Sequence, residues 1–166
     1  MISDILYLSK IEAGTFDIRY TDVNVNILCQ EIVDSFQSKA CPGVRIEPDL
    51  HHPECHMEGD AERMTQIIAH FINNAIKFTS HGVICLGYTV YGNEIKFFVS
   101  DTGIGIPSEK LESIFERFVK LNNFIHGTGL GLSVCKSMVE QMGGRIGVDS
   151  KEGEGSCFWF TLPLKT

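Results

Sequence analysis

The sequence predicts an α+β two-layer sandwich, in which a mixed, mostly antiparallel sheet of about five strands is covered on one face by three helices. Two observations carry this fold class. Segments with apolar residues at helical spacing are interspersed with segments typical of strands, and the Gly92-Asn93 dipeptide between two of those strands is typical of a hairpin turn. Strands and helices in this order favour layered packing around one core.

The elements follow in chain order from their patterns and their ends. The predicted helices cover residues 1–13, about 24–36, 60–79, about 107–115 and 129–142. The predicted strands cover residues 16–23, 44–46, 82–91, 94–101, 144–149 and 155–163, with a loop at 49–58 that has room for a short edge strand. Asn24 is a suitable N-cap for the second helix, and Gly143-Gly144 is typical of a helix end.

The helix predicted over residues 60–79 has one broad apolar arc and one polar arc. At 100° per residue the apolar arc takes Met64, Ile67, Ile68, Phe71, Ile72, Ala75 and Phe78. Asn74 falls at the border between the two arcs. A side chain at such a border can reach into a cleft while its helix stays packed.

The strand predicted over residues 94–101 places a carboxylate on the core side. Ile95, Phe97, Val99 and Asp101 share one face because side chains alternate along a strand. An inward carboxylate is costly unless it meets hydrogen-bond donors. Asp101 is therefore a candidate for function, although capping of the following turn is the ordinary use of an Asp at such a place.

Composition limits the classes of function. The chain has 166 residues, 43% of them hydrophobic, and a formal net charge of −7, which is typical of one domain with its own core. The negative charge argues against nucleic-acid binding, since no basic surface displaces counterions, and against direct membrane contact. The six cysteines form no CxxC pair and no zinc-ligand spacing, which favours a reducing, cytoplasmic compartment.

Three motifs in order predict a nucleotide site. They are Asn74-Ala-Ile-Lys-Phe-Thr79, Asp101-Thr-Gly-Ile-Gly-Ile106 and Gly127-Thr-Gly-Leu-Gly-Leu132. Glycines let backbone amides approach a phosphate closely and adopt positive φ. An Asn that can ligate a metal, a nearby Lys and an inward carboxylate complete such a site.

These motifs resemble the N box and the two glycine boxes of sensor histidine kinases. Ile114-Phe-Glu-Arg-Phe118 resembles their F box, and Gly153 through Pro163 resembles the end of their catalytic domain. The similarity spans nearly the whole chain in the right order. It implies the Bergerat ATP-binding fold of the GHKL superfamily, with ATP and Mg²⁺ as cofactors.

The resemblance also implies a role for each matching residue. Asn74 would ligate Mg²⁺, Lys77 would reach a terminal phosphate, and Asp101 would accept from the adenine amine. Arg117 would stabilise charge on the transferred group and Phe118 would anchor a lid. The remaining implied nucleotide contacts are Gly103, Gly105, Ile106, Gly127, Thr128, Gly129, Leu130 and Gly131.

The first 14 residues resemble the end of the second helix of the kinases' dimerisation and phosphoacceptor module, and residues 15–166 resemble the catalytic domain. None of the six histidines has the sequence context of a phosphoacceptor. The resemblance therefore implies a catalytic domain that phosphorylates a histidine module of the same parent protein. A response regulator receiver domain would then take the phosphoryl group.

Two other functions stay open at this stage. One is a non-catalytic nucleotide-binding scaffold, and the other is a GHKL-type ATPase. Position 70 holds His70 where the hydrolytic relatives have a glutamate base, which speaks against efficient hydrolysis. Ser156 has two interpretations, a water-bridged neighbour of the adenine pocket or an ordinary strand serine.

Overall fold

A five-stranded sheet organises the protein, whose computed structural model describes residues 18–40, 42–50, 54–106 and 131–164. In chain order the elements are β1 (Thr21–Asn24), α1 (Val25–Gln37), β2 (Val44–Asp49), β3 (His56–Gly59), α2 (Ala61–Phe78), β4 (Gly82–Tyr91), β5 (Glu94–Asp101), α3 (Gly131–Gln141), β6 (Arg145–Lys151) and β7 (Gly155–Pro163).

The main sheet has the strand order β2-β4-β5-β7-β6. β2 pairs with β4 in parallel, and the other three pairings are antiparallel. β1 and β3 form a separate antiparallel pair. The mixed, mostly antiparallel sheet with three helices in the described ranges confirms the predicted fold class.

Two of the helices, α1 and α2, begin at side-chain caps. Asn24 caps α1 by accepting from the backbone N–H of Ile27 at 3.2 Å, as predicted. Asp60 caps α2 by accepting from the N–H of Arg63 at 3.1 Å. The seven residues predicted for the apolar arc of α2 are all buried, and Asn74 is half-buried beside them.

The core lies between the helices and the inner face of the sheet. In β5 the buried side chains alternate with more exposed ones, as predicted for Ile95 through Asp101. Phe71 of α2 packs against two rings of β7, with ring centroids 5.4 Å from Phe158 and 6.0 Å from Phe160. These contacts attach α2, which carries Asn74, to β7. The same strand carries Ser156, which is paired with Asp101 of β5.

Several element bounds differ from the predicted ones. β2 runs to Asp49 instead of ending at Ile46, because its parallel pairing with β4 continues through Pro48. Proline is tolerated there since β2 is an edge strand. β1 is limited to Thr21–Asn24 because its partner β3 has only four residues, and β6 extends to Lys151.

Other predicted elements fall outside the described ranges. They are the helices over residues 1–13 and 107–115 and the first residues of the strand that begins at 16. Within the described ranges, no helix has the length and apolarity needed to cross a membrane.

Truncation of Phe71 tests the packing of α2 on the sheet. Phe71→Ala should lower the free energy of unfolding by about 3–5 kcal/mol, because a fully buried ring is replaced by a cavity. Urea unfolding followed by circular dichroism measures this. Asn73→Ala, at an exposed position on the same helix, is the matched control and should change stability by less than about 0.5 kcal/mol. A small loss in Phe71→Ala would contradict this packing.

Candidate functional site

The carboxylate of Asp101 ends β5 in a buried position. The residue is 7% exposed. Its Oδ1 accepts from the backbone N–H of Gly103 at 2.9 Å and from that of Ser156 at 3.3 Å. Its Oδ2 is buried and has no hydrogen-bond partner. Half of the carboxylate thus holds the turn, and the other half is an unused acceptor.

Burial raises the pKa of the Asp101 carboxyl above its ordinary value, while the N–H groups of Gly103 and Ser156 act in the opposite direction. Desolvation is the larger effect, so the ionised carboxylate lowers the stability of the protein when no ligand is bound. A ligand that donates a hydrogen to Oδ2 would lower this cost.

Residues 102–106, which follow Asp101 and are called the glycine turn, lie directly against the end of α2. Ile104 donates its N–H to the carbonyl of Phe78 at 3.2 Å. A Cβ on Gly103 would overlap the same carbonyl and come within 2.8 Å of the Thr79 hydroxyl. Only glycine permits this approach. The turn that follows the carboxylate and the helix that carries Asn74 are therefore joined, as a single site requires.

The hairpin between β6 and β7 holds the other side of the glycine turn. Gly153 donates its N–H to the carbonyl of Ile104 at 2.6 Å, and Ile106 donates to Ser150 Oγ at 2.8 Å. Gly105 has φ +73°, and a Cβ there would overlap the carbonyl of Lys151. The turn is thus fixed between a helix end and a hairpin before any ligand arrives.

Thr79 supplies a second buried polar group without a partner, a hydroxyl that can donate or accept. It is 2% exposed, and its Oγ1 makes no hydrogen bond. Together with Asp101 Oδ2 it gives two unpaired polar atoms on residues that both adjoin Gly103. Buried polar atoms are normally satisfied, so this pair marks a place built for a polar ligand.

Asn74 and Lys77 lie on α2, one turn apart and close to its C-terminal end. Asn74 is half-buried and Lys77 is exposed. The neighbouring Asn73 is exposed, which agrees with the helical phase that favours Asn74 as the residue at the cleft. An amide oxygen is a suitable donor for Mg²⁺, which is bound by few protein ligands and keeps waters and phosphate oxygens.

Not every predicted site residue can be placed. Gly131 begins α3. The predicted residues that lie outside the described ranges are Arg117, Phe118, Gly127, Thr128, Gly129 and Leu130. The structure brings together Asp101, Gly103, Gly105 and Ile106 with the end of α2.

Sequence reasoning missed two residues of this site and left a third open. Thr79 and Ser150 were not candidates, although Thr79 ends the quoted motif that begins at Asn74. Ser156 is buried and contacts both Asp101 and Ser150, so its position next to the carboxylate is established, while a water-bridged role at an adenine stays a prediction. The signal for Ser156 lies in strand register, which only pairing partners reveal.

Comparison with known proteins identifies the family. The model of the histidine kinase-, DNA gyrase B- and HSP90-like ATPases matches residues 59–166. The chain therefore belongs to this ATPase family.

Its relatives narrow the class further. The chain is 35% identical to the circadian input-output histidine kinase CikA of Synechococcus elongatus, covering 100% of this chain and 23% of the relative. It is 36% identical to the sensor protein GacS of Pseudomonas syringae pv. syringae, covering 99% and 19%. The chain thus spans about a fifth to a quarter of these relatives.

Solved structures agree with this class. Full-length ShkA in complex with AMPPNP superimposes with a TM-score of 0.92 at 29% identity, covering 99% of this chain and 35% of ShkA. A nucleotide-free catalytic domain of the histidine kinase ThkA superimposes with a TM-score of 0.79 at 29% identity, covering 89% and 97%. The fold is that of the catalytic, ATP-binding domain of histidine kinases.

The raised pKa of Asp101 gives a test in the free protein. Between the ordinary Asp pKa and the raised one, the native state binds more protons than the unfolded state. The free energy of unfolding should therefore fall as pH rises through this window and stay level above it. Asp101→Asn keeps an oxygen for the two N–H groups but has no charge, so this fall should be absent.

Urea unfolding of both proteins over a pH series measures the difference. As pH rises through the window, the free energy of unfolding of Asp101→Asn should increase relative to that of the wild type. At neutral pH the variant should be at least as stable as the wild type. A stability difference that is the same at every pH would contradict the buried, costly carboxylate.

Proposed function

We propose that this domain binds ATP with Mg²⁺ and provides the γ-phosphoryl group for transfer to a histidine on a dimerisation module of its parent protein. A receiver domain of a response regulator would then accept the phosphoryl group. The single observation that carries the proposal is the pair of buried, unpartnered polar atoms, Asp101 Oδ2 and Thr79 Oγ1, beside the fixed glycine turn.

Adenine fits this place by its hydrogen-bonding pattern. Its exocyclic amine would donate to Asp101 Oδ2, and the base would lie beside the turn that Gly103 packs against the end of α2. A hydrogen bond to the ionised carboxylate stabilises the charged form, so binding would relieve the desolvation that raises the pKa. The Thr79 hydroxyl would donate to a ring nitrogen or bond a water.

The phosphates would extend from the base toward Asn74 and Lys77. The amide oxygen of Asn74 would hold Mg²⁺, which when bound neutralises part of the phosphate charge. Lys77, exposed one turn further along α2, would reach a terminal phosphate as a point charge. Gly131 at the start of α3 would offer a backbone amide at a helix N-terminus, where phosphate is favoured.

Several parts of the proposal rest on the family resemblance alone. Arg117 would stabilise the transferred group and Phe118 would anchor the lid, while Gly127 through Leu130 would contact phosphates. Residues 1–14 would be the end of the dimerisation helix, and residues 15–166 the catalytic domain. A cytoplasmic location is supported by the free thiols of Cys29, Cys55, Cys85 and Cys157.

Nucleotide binding by Asp101 is tested by thermal stability. With ATP and Mg²⁺ at about 100 times the dissociation constant, the wild type should gain roughly 2.7 kcal/mol of stability. Asp101→Asn should lose most of this gain, because its amide presents a hydrogen to the amine instead of an acceptor. Differential scanning fluorimetry measures both. An undiminished shift in Asp101→Asn would contradict the adenine assignment.

The metal role of Asn74 has a matched control next to it. Asn74→Asp alters the charge and donor set at the proposed ligand, so transfer of labelled phosphate to an added acceptor module should fall by at least about tenfold. Asn73→Asp makes the same change at the exposed neighbour and should keep transfer within about twofold.

The outcome also separates the competing functions. Equal effects of the two substitutions would contradict Asn74 as the metal ligand. Binding of ATP by the wild type with no transfer to any acceptor would favour a scaffold, and rapid ATP hydrolysis without an acceptor would favour an ATPase.

A further inference from the structure

Beside the glycine turn, the side chains that neighbouring strands place opposite one another on the helix-covered face of the sheet are polar. Asp101 of β5 is paired with Ser156 of β7, and Ser156 is paired with Ser150 of β6. Directly opposed residues of antiparallel strands point to the same side, with Cβ atoms about 4.5–5.5 Å apart. Ser150 is therefore two strands from Asp101 but is connected to it through Ser156.

The hydrogen bonds of Ser150 determine where the hydrogen of Ser156 points. A serine hydroxyl has one hydrogen and two lone pairs. Ser150 Oγ accepts from the N–H of Ile106 at 2.8 Å and donates its hydrogen to the carbonyl of Gly155 at 2.9 Å. Its contact with Ser156 Oγ at 2.7 Å must then use the hydrogen of Ser156.

The consequence is that Ser156 offers only lone pairs to its surroundings. The residue is 6% exposed and is paired in register with Asp101, whose Oδ1 accepts from the Ser156 N–H at 3.3 Å. The carboxylate Oδ2 is itself an acceptor without a partner. Two acceptors on neighbouring, paired residues suit a group that brings hydrogens, such as an amine or a bridging water.

We propose that Ser150 is a positioning residue that holds Ser156 as a hydrogen-bond acceptor and thereby sets the preference for a 6-amino over a 6-oxo purine. This inference rests on the proposed binding of adenine at Asp101. An amino group donates to both acceptors, directly or through water. A 6-oxo purine carries its hydrogen on N1 and only lone pairs on the oxo group. Ser156 has no hydrogen to offer that oxo group while Ser150 accepts the Ser156 hydrogen.

The preference is measured as the ratio of dissociation constants for ADP and for inosine diphosphate, which carries a 6-oxo group. In Ser150→Ala the hydroxyl of Ser156 is released and can donate to the oxo group. The ratio should shrink by about threefold to tenfold, the range expected for one neutral hydrogen bond. Ser150→Thr keeps the hydroxyl and should keep the wild-type ratio.

A merely structural role for Ser150 would give another result. If Ser150→Ala loosens the glycine turn, both nucleotides should weaken by the same factor and the ratio should stay unchanged, which would overturn the inference. Because Ser150 acts through Ser156, its effect on the ratio should also disappear in a Ser156→Ala background. Persistence of the effect there would overturn the inference too.

A second variant keeps the test open if Ser150→Ala does not fold. Ser156→Ala alone should weaken ADP and leave inosine diphosphate unchanged, and equal weakening of both would contradict the acceptor role. Asp101→Asn separates this inference from the proposed function. If Asp101→Asn leaves ADP binding intact, the adenine site itself is wrong; if it weakens ADP while Ser150→Ala leaves the ratio unchanged, only the role of Ser150 is wrong.

Discussion

The half-satisfied carboxylate of Asp101 is the constraint on which the rest of this structure depends. One oxygen accepts from two backbone N–H groups, and the other is buried without a partner. Such an arrangement costs stability in the free domain and persists only if the surrounding structure fixes it. The features around Asp101 are those that keep this carboxylate inward and ready to accept.

The sheet and its neighbours supply this fixing in two ways. The inner face of the sheet is apolar along most of its length, so α2 packs firmly on β5 and β7 through rings such as Phe71 and Phe158. At the last row the face becomes polar, where Asp101, Ser156 and Ser150 meet. The glycine turn is held there between the end of α2 and the β6–β7 hairpin, so little reorganisation remains for the ligand to drive.

Periodicity in the sequence was sufficient to predict the layers and the inward direction of Asp101. The apolar arc of α2 and the alternation along β5 are local patterns, and both appear in the structure as predicted. The ends of a strand that depend on its partner strand could not be predicted from local patterns. β2 continues through Pro48 because β4 pairs with it, and the sequence at Pro48 resembles a break.

The hydroxyls of Thr79 and Ser150 were not predicted, and that of Ser156 was left with two interpretations, for the same reason. Ser150 and Ser156 are six residues apart in the chain but 49 and 55 residues from Asp101, and only strand register joins the three. Thr79 becomes part of the site only because Gly103, from a different part of the chain, packs against it. A family motif indicates such residues by position, whereas their chemistry depends on the fold.

The most direct test of the central claim removes the two proposed hydrogen-bond partners, the Asp101 carboxylate and the 6-amino group of the nucleotide, separately and together. Isothermal titration calorimetry would compare ADP with its analogue that lacks the 6-amino group, against the wild type and against Asp101→Ala. If the amine donates to Asp101, removing it should weaken binding to the wild type by about tenfold or more. In Asp101→Ala the two ligands should then bind almost equally. A loss of the same size in both proteins would show that the amine meets something other than this carboxylate.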